Sequence, residues 1–478
     1  MSKFHSILSR REFMKGLGLT GVGLGAAALT APVYHDLDEL ISAPQSLFKR
    51  AWWVKNLETE KPTVEIDWSV MYRSDGYWTS QQGPCNQYFL GLDEFAKRSA
   101  ATAAYSAKAL AANQPGLNLR DSALTGANFQ NANFSYMGPG TAKTPADNGV
   151  PKWSGTPEEN ARMMRSAMVF FGVGTIGFAE VTPNVKNHLI RQWDKAALHQ
   201  QYVFEDVPVG YDDGKTKLVI PNNVPLYDMA VNIPMSKEMY RTAPSSNIRN
   251  AANGHRYVRF SIIQPQTQQF ARGLGYQVYG YTAPTNGMIP NMAATILTGL
   301  SENARNNGWV ISPEYGPVSG QFSLVTDLPV APTPPVDAGI WRFCHTCGKC
   351  AKACPLQVIP NDKEPTWVVP PFMGKPDTTH VPGKKVYWLN AIDCNTNQGA
   401  FGGCALCLAT CTFNTGHNAI HDYVKATLSN TPVFNAFMAK MDTSFGYGLH
   451  SDKEAWWDAS LPSYGVDTSI IAKNAKAV

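Results

Sequence analysis

Polarity along the chain changes character several times. A charged stretch, Ser9-Arg-Arg-Glu-Phe-Met-Lys15, gives way to an almost wholly apolar run over 16–31. That run is short of the roughly 20 residues a spanning helix needs, and its closely spaced glycines oppose any helix. Residues 93–112 form an Ala-rich run that predicts a helix with Asp93 at its N-cap, closed by Pro115. Leu119, Leu124, Phe129 and Phe134 then recur at every fifth position, with Ala-Asn before each Phe. The spacing is similar to a pentapeptide repeat, but four units make a single coil and such arrays need stacked coils, so it reads as a local feature. Thr156-Pro-Glu-Glu159 opens a helix to about Phe171, with proline at the first helical position. Between 172 and 330, short apolar runs at 218–220, 228–233, 257–263 and 309–312 predict strands. Helix-like stretches at 236–242, 265–274 and 291–306 alternate with them, which predicts an α/β or α+β layered domain. Four prolines within 329–335 mark a boundary, a cysteine-rich stretch follows, and an aromatic tail begins near 426. The expected divisions are 1–31, 32–165, 166–330, 331–425 and 426–478.

The 478 residues allow two to four domains, and a composition 44% hydrophobic and 16% charged excludes a disordered or low-complexity chain. Net charge is +4, but Lys3, Arg10, Arg11 and Lys15 against Glu12 place most of it in the first 31 residues. The remainder is near neutral, so no nucleic-acid partner is expected. Paired arginines, then Phe13, then a glycine-rich apolar run resemble a twin-arginine export signal, with cleavage near Ala26-Ala27-Ala28 or Ala31. Gly16-Leu-Gly18-Leu-Thr-Gly21 lies inside this segment with no strand before it, so it is not a dinucleotide site. Twin-arginine transport moves folded proteins, which reconciles export with reduced cysteines.

Of nine cysteines, eight fall between 344 and 411, unlike a disulfide framework. Cys344-x2-Cys347-x2-Cys350-x3-Cys354-Pro355 is the bacterial ferredoxin spacing, in which the fourth cysteine crosses to the other cluster of a pair. The second set, Cys394-x9-Cys404-x2-Cys407-x3-Cys411, has Phe401 where regular spacing would put a cysteine, so Cys394 replaces it from a longer loop. By the crossover, Cys344, Cys347, Cys350 and Cys411 hold one [4Fe–4S] cluster; Cys394, Cys404, Cys407 and Cys354 hold the other. Structural zinc is the alternative for C-x-x-C pairs, but eight thiolates in two such frames suit two clusters better. Cys85 stands alone and reads as a small buried thiol. About 300 residues precede the clusters, far more than a mere electron carrier needs.

Further motifs follow one another along the chain. They are Trp52-Trp53-Val-Lys55, Pro62-Thr-Val-Glu-Ile-Asp-Trp68, Phe270-Ala-Arg-Gly-Leu-Gly-Tyr276, Pro313-Glu-Tyr-Gly-Pro317, and the tail Phe445-Gly-Tyr-Gly448 with Trp456-Trp457. With the arginine pair and both cysteine sets, they resemble the corrinoid iron–sulfur reductive dehalogenases of organohalide-respiring bacteria. The resemblance implies an α/β (α+β) fold: a nitroreductase-like core that binds one corrinoid of the cobalamin type, followed by a two-cluster ferredoxin-like domain. It implies loss of halide from a small organohalide, a chlorinated aliphatic, as R–X, two electrons and a proton give R–H and halide. It further implies a place on the outer face of the cytoplasmic membrane, a small membrane-anchor protein, respiratory electron donors, and room for a homodimer. No Asp-x-His-x-x-Gly string occurs, in keeping with a base-off corrinoid.

The family's proton donor is a tyrosine before the Phe-x-Arg-x-Leu-Gly-Tyr element, and the spacing to Phe270 makes it Tyr257. A phenol keeps its proton at neutral pH and can donate it to a carbanion. His255, Arg256 and Arg259 stand close enough in sequence to tune it. The family's basic residue shortly after Tyr-Gly-Pro is missing from Gly316-Pro-Val-Ser-Gly-Gln321. Arg305 or Arg342 is expected in its place, unless the proton donor is handled differently. Asn286 and Asn291 are candidates for a polar partner on the 282–291 loop, although asparagines there are commonly turn residues. Two other classes share these cysteine sets: an exported two-cluster electron-transfer subunit, and an intracellular tRNA-base reductase, which the export signal contradicts.

Overall fold

The computed structural model describes residues 50–51, 53–79, 82–128, 134–285, 287–415, 424–427, 448–459 and 462–466. The export-signal segment, Trp52, Phe129, Asn286 and Phe445 lie outside them. Helix α1, Leu92–Ala111, forms as the Ala-rich run predicts, but Gly91 at φ 78° is its N-cap and Asp93 sits inside the first turn. The preceding helix, Gly83–Leu90, leaves a single residue for the junction, and glycine accepts the left-handed turn there. Helix α2, Leu119–Gly126, replaces the pentapeptide coil: Asn118 caps it by accepting from the Asp121 amide. Leu119 is 72% exposed while Leu124 packs inward, so the five-residue spacing does not mark one buried face. Helix α3, Pro157–Phe170, starts with Thr156 and Glu159 capping one another's amides, as Thr-Pro-Glu-Glu predicts.

The centre is an antiparallel sheet of β1 (Thr175–Glu180), β2 (Tyr227–Pro234), β3 (Val278–Tyr279) and β4 (Ser319–Thr326), ordered β1-β2-β4-β3. β2 and β4 pair along their full lengths, from Ser319 opposite Pro234 to Thr326 opposite Tyr227. Both faces are covered. Met229, Val231 and Ile233 of β2 with Phe322 and Leu324 of β4 meet α3 and the long helix α4, Asn247–Leu274. The alternate residues Ala230 and Val325 meet Ala294 and Leu297 on the other side. A three-stranded sheet flanks this layer, its centre Lys217–Pro221 paired in parallel with Gln201–Glu205 and antiparallel with Tyr211–Asp212. The result is a mixed helix-and-strand fold.

Residues 257–263 were expected as a strand, and they lie inside α4. Its buried side is Arg256, Phe260, Ile263, Gln264, Thr267, Gln268 and Ala271, a spacing of three and four that only a helix can present to one neighbour. Pro265 does not end the helix, because tertiary burial on both sides of it outweighs the lost hydrogen bond. The helix-like stretch 291–306 is also shorter than expected: Asn291–Leu297 is helical, and Glu302–Asn303 is a strand. The described tail residues lie across α2 and the start of α4. Trp457 Nε1 donates to Asp121 (2.9 Å) and Lys453 to the Ser245 carbonyl (3.0 Å).

Asp228 sits on the central strand β2, buried, with the Ser323 hydroxyl donating to it across the sheet at 2.5 Å. Burial pushes its carboxyl up to about 7. An acid raised in the folded state gives stability that is complete below its unfolded value of about 4 and is lost as pH rises towards 7. The thermal midpoint of the intact protein should therefore fall over that window, and Asp228→Asn, which keeps the shape without the charge, should flatten the decline. Parallel pH slopes for the two proteins would show that Asp228 does not hold its proton.

Candidate active site

The cysteines of the two stretches come together in two neighbouring groups. Helix α5, Ile340–Cys347, and the short helix α6, Lys349–Ala353, turn sharply at Gly348 (φ 60°), which sets Cys344, Cys347 and Cys350 around one space. Cys411, 57 residues after Cys354 in sequence, closes the same cavity, and Cys407 borders it. Cys354, Cys394 and Cys407 pack together beside Val358 and Ile359, with Cys350 at their edge. Cys404 acts electrostatically on Cys394 and Cys407 of that second group. Burial, reinforced by the neighbouring sulfurs, pushes Cys344 and Cys394 up to about 12 and Cys407 up to about 11. Such thiols stay protonated unless a cation replaces the proton, which is what iron does. Among the described residues no three His, Cys, Asp or Glu side chains gather at a point that one ion could fill. Cys85 is buried among Phe89, Leu90 and Ile392, as its isolation predicted.

Residues 301–309 link these cysteines to the central sheet. Glu302 accepts from the amides of Ala338 (2.8 Å), Ile340 (3.0 Å) and Trp341 (3.4 Å), and so caps α5. Burial holds this carboxyl up at about 7. Arg305, expected near Tyr257, is committed elsewhere. It donates to the carbonyls of Cys344 (2.9 Å), His345 (3.0 Å), Pro360 (2.9 Å) and Asp362 (2.8 Å), with its guanidinium 3.8 Å from the Tyr387 ring centre. Asn306 hydrogen-bonds Cys407. Ser301 Oγ, Asn303 Nδ2, Asn306 Oδ1, Asn307 Nδ2 and Trp309 Nε1 are buried without a partner among the described residues. Each such atom costs about 1–3 kcal/mol, so a row of them calls for a bound group rich in donors and acceptors. A corrin ring edged with amide side chains has that chemistry, so the residues present fit it.

Trp309 extends the link to Tyr257. The Arg256 guanidinium lies between two rings, 4.7 Å from the centre of Trp309 and 4.5 Å from that of Tyr257. Its Nη2 donates to Tyr257 Oη at 2.7 Å. Tyr257 is half-buried and stands edge-on to Phe322, 5.7 Å away at 84°. Of the other expected neighbours, Arg259 is held by the Pro234 (3.0 Å) and Gly172 carbonyls, and His255 lies against Tyr464. Arg342 pairs with Asp337 at 2.6 Å, at an exposed site, so neither expected arginine replaces the missing one. Asn291 accepts from Tyr281 Oη at 2.5 Å, and that oxygen accepts from the Ser323 amide. Apart from Arg305, the buried polar residues of 301–309 escaped the sequence reading, because a polar run between apolar ones looks like a solvated helix face.

A mixed-layer core joined through residues 301–309 both to clustered cysteines and, by way of Arg256, to a half-buried tyrosine suits a redox enzyme. The family profile described as "Dehalogenase: Reductive dehalogenase subunit" matches residues 49–132 and 124–330. The chloroethene reductive dehalogenase of Dehalococcoides mccartyi (strain VS) is 30% identical over 534 residues, covering 98% of this chain and 99% of that protein. The chain belongs to the reductive dehalogenase family, enzymes that act on carbon–halogen bonds. Among solved structures, the catabolic reductive dehalogenase NpRdhA is similar in fold (TM-score 0.59, 17% identity, 88% of this chain). So is a reductive dehalogenase whose structure suggests a mechanism for B12-dependent dehalogenation (TM-score 0.56, 15% identity, 88% of this chain). This chain spans about half the length of those two, 53% and 52%. An electron carrier is ruled out, since the relative aligned from end to end is itself an enzyme.

Proposed function

We propose that the chain removes halide from a small chlorinated aliphatic, of the chloroethene kind for which its relative is named, using one base-off corrinoid and two [4Fe–4S] clusters. In this reading 166–330 is a nitroreductase-like core and 331–425 a ferredoxin-like domain, with 32–165 and 426–478 packed on them. When bound, the corrinoid supplies a cobalt that meets the carbon–halogen bond and the clusters supply single electrons. Ser301, Asn303, Asn306 and Asn307 would hold the corrinoid's amides. Cys344, Cys347, Cys350 and Cys411 would hold one cluster, and Cys354, Cys394, Cys404 and Cys407 the other. Tyr257 keeps a proton on its Oη and gives it to carbon as halide leaves.

The observation that carries this is the course of residues 301–309. One stretch with unmet polar groups touches Cys344 through Arg305, Cys407 through Asn306 and Tyr257 through Trp309 and Arg256. In this reading the stretch would bring electron source, cofactor and proton donor next to one another. Export by the twin-arginine route would put the enzyme at the outer face of the cytoplasmic membrane. Among the described residues no helix is long and apolar enough to cross a membrane. A small anchor protein would hold it there beside respiratory electron donors, as a monomer or a homodimer.

Three measurements test the reading. Tyr257→Phe keeps the ring and deletes the acid, so hydrogenolysis should fall by ~10²–10⁴ at unchanged cobalt content. Full activity at full loading would leave Tyr257 a packing residue. Cys350→Ala should remove one cluster, roughly half the iron, and abolish turnover with reduced viologen while corrinoid still binds; zinc in place of iron would overturn the cluster assignment. Arg10→Lys with Arg11→Lys should hold loaded, folded protein in the cytoplasm, because this export route depends on the arginine pair. Normal export of that variant would refute the address.

A further inference from the structure

The strand after Pro317 is where a cation was expected to serve the proton donor, and it carries Gly320 and Gln321 instead. Gln321 turns its amide back to its own strand, donating to the Ser319 carbonyl and hydroxyl at 2.8 and 3.0 Å. We propose that Arg256 is the positioning residue for Tyr257, a cation delivered from helix α4 rather than strand β4, and that Gly320 exists to admit it. The inference rests on Tyr257 being the proton donor.

Neighbouring residues on a helix point about 100° apart, so Arg256 and Tyr257 do not ordinarily face one another. They meet because the arginine side chain folds across β4. A Cβ at residue 320 would stand 2.9 Å from Arg256 Cβ and 2.8 Å from its Cδ, closer than atoms can pack. A side chain at 320 and the observed Arg256 therefore compete for one space, and glycine leaves it to the arginine. Trp309 closes the other face of the guanidinium, which is buried. What remains directed at Tyr257 is Nη2, 2.7 Å from Oη.

The placement matters in the proton transfer. The O–H bond of Tyr257 breaks as a C–H bond forms on the carbon that has lost halide, and the electron pair stays on Oη. That pair faces a guanidinium which cannot lose its own proton. A guanidinium attracts a phenolate more strongly than a neutral phenol, so Arg256 stabilises the tyrosine more after donation than before. Solvent then returns the proton to Oη.

The test uses cofactor-loaded full-length enzyme and two substrates: a monochlorinated one that needs a proton at carbon, and a vicinal dichloride that leaves as an alkene without one. Arg256→Ala should lower kcat for the first by about 10–100-fold with little change in KM, and should spare the second. Added guanidinium ion should restore part of the loss. Arg256→Gln, which keeps the bulk, serves if the alanine variant does not load cofactor. Equal loss on both substrates, or no response to guanidinium, would make Arg256 a packing residue and overturn the proposal. Impaired Tyr257→Phe beside unimpaired Arg256→Ala would overturn this inference alone; an unimpaired Tyr257→Phe would overturn the donor reading beneath it.

Discussion

The buried guanidinium of Arg305 is the tie on which the arrangement depends. Its fork reaches four backbone carbonyls, two on the helix that bears Cys344 and two in the stretch beyond Cys354. Carbonyl oxygens in this number replace the water the cation gives up, and the Tyr387 ring covers its face. Apolar contact alone between the cysteine region and the central sheet would be strong but would not fix position. With Arg305, the cysteines and the segment after Leu297 hold one geometry. Glu302 adds a second fixed point at the start of the same helix, its carboxylate facing the amides that open α5. Residues three apart in sequence thus anchor the two ends of a helix that carries cluster-type ligands.

What the sequence made legible was whatever local chemistry forces. Thr156-Pro-Glu-Glu159 names its helix because both caps are written into four residues. The cysteine spacing names its chemistry because few other uses need it. The stretch 257–263 misled, since Tyr, Val, Phe and two Ile suit a strand and Pro265 suggests a break. The helical period there is carried partly by Arg256, Gln264 and Gln268, polar residues that a hydrophobic pattern assigns to solvent. They are buried because they serve carbonyls: Gln264 and Gln268 donate to Ser135, Tyr136, Val278 and Tyr281. The same blindness applies to 301–309. Burial of polar groups is decided by partners remote in sequence, and that is where the candidate site is built.

The network around Tyr257 shows how a missing residue can be supplied from another element. Arg256 reaches the phenol only because its own backbone sits over a strand position without a side chain. A comparison of strand positions alone finds a gap; contact geometry finds the charge. Tyr281 offers a contrast on the opposite side of Phe322. Its hydroxyl is fully engaged, donating to Asn291 and accepting from Ser323, which suits a fixed wall rather than a proton source.

The two cysteine sets are interleaved, each taking three members from one stretch and one from the other. This bears on how the molecule is made. Neither set is whole until Cys407 or Cys411 has been synthesised, near the end of the chain. The central sheet, complete at Thr326, can fold long before that. If these cysteines hold the proposed clusters, loading with iron and sulfide would belong to the last stage of maturation, onto a scaffold already in place. It also couples the halves of the cysteine region: a chain truncated anywhere between Cys354 and Cys407 lacks a member of both sets at once, so in the proposed reading such products would carry no intact centre.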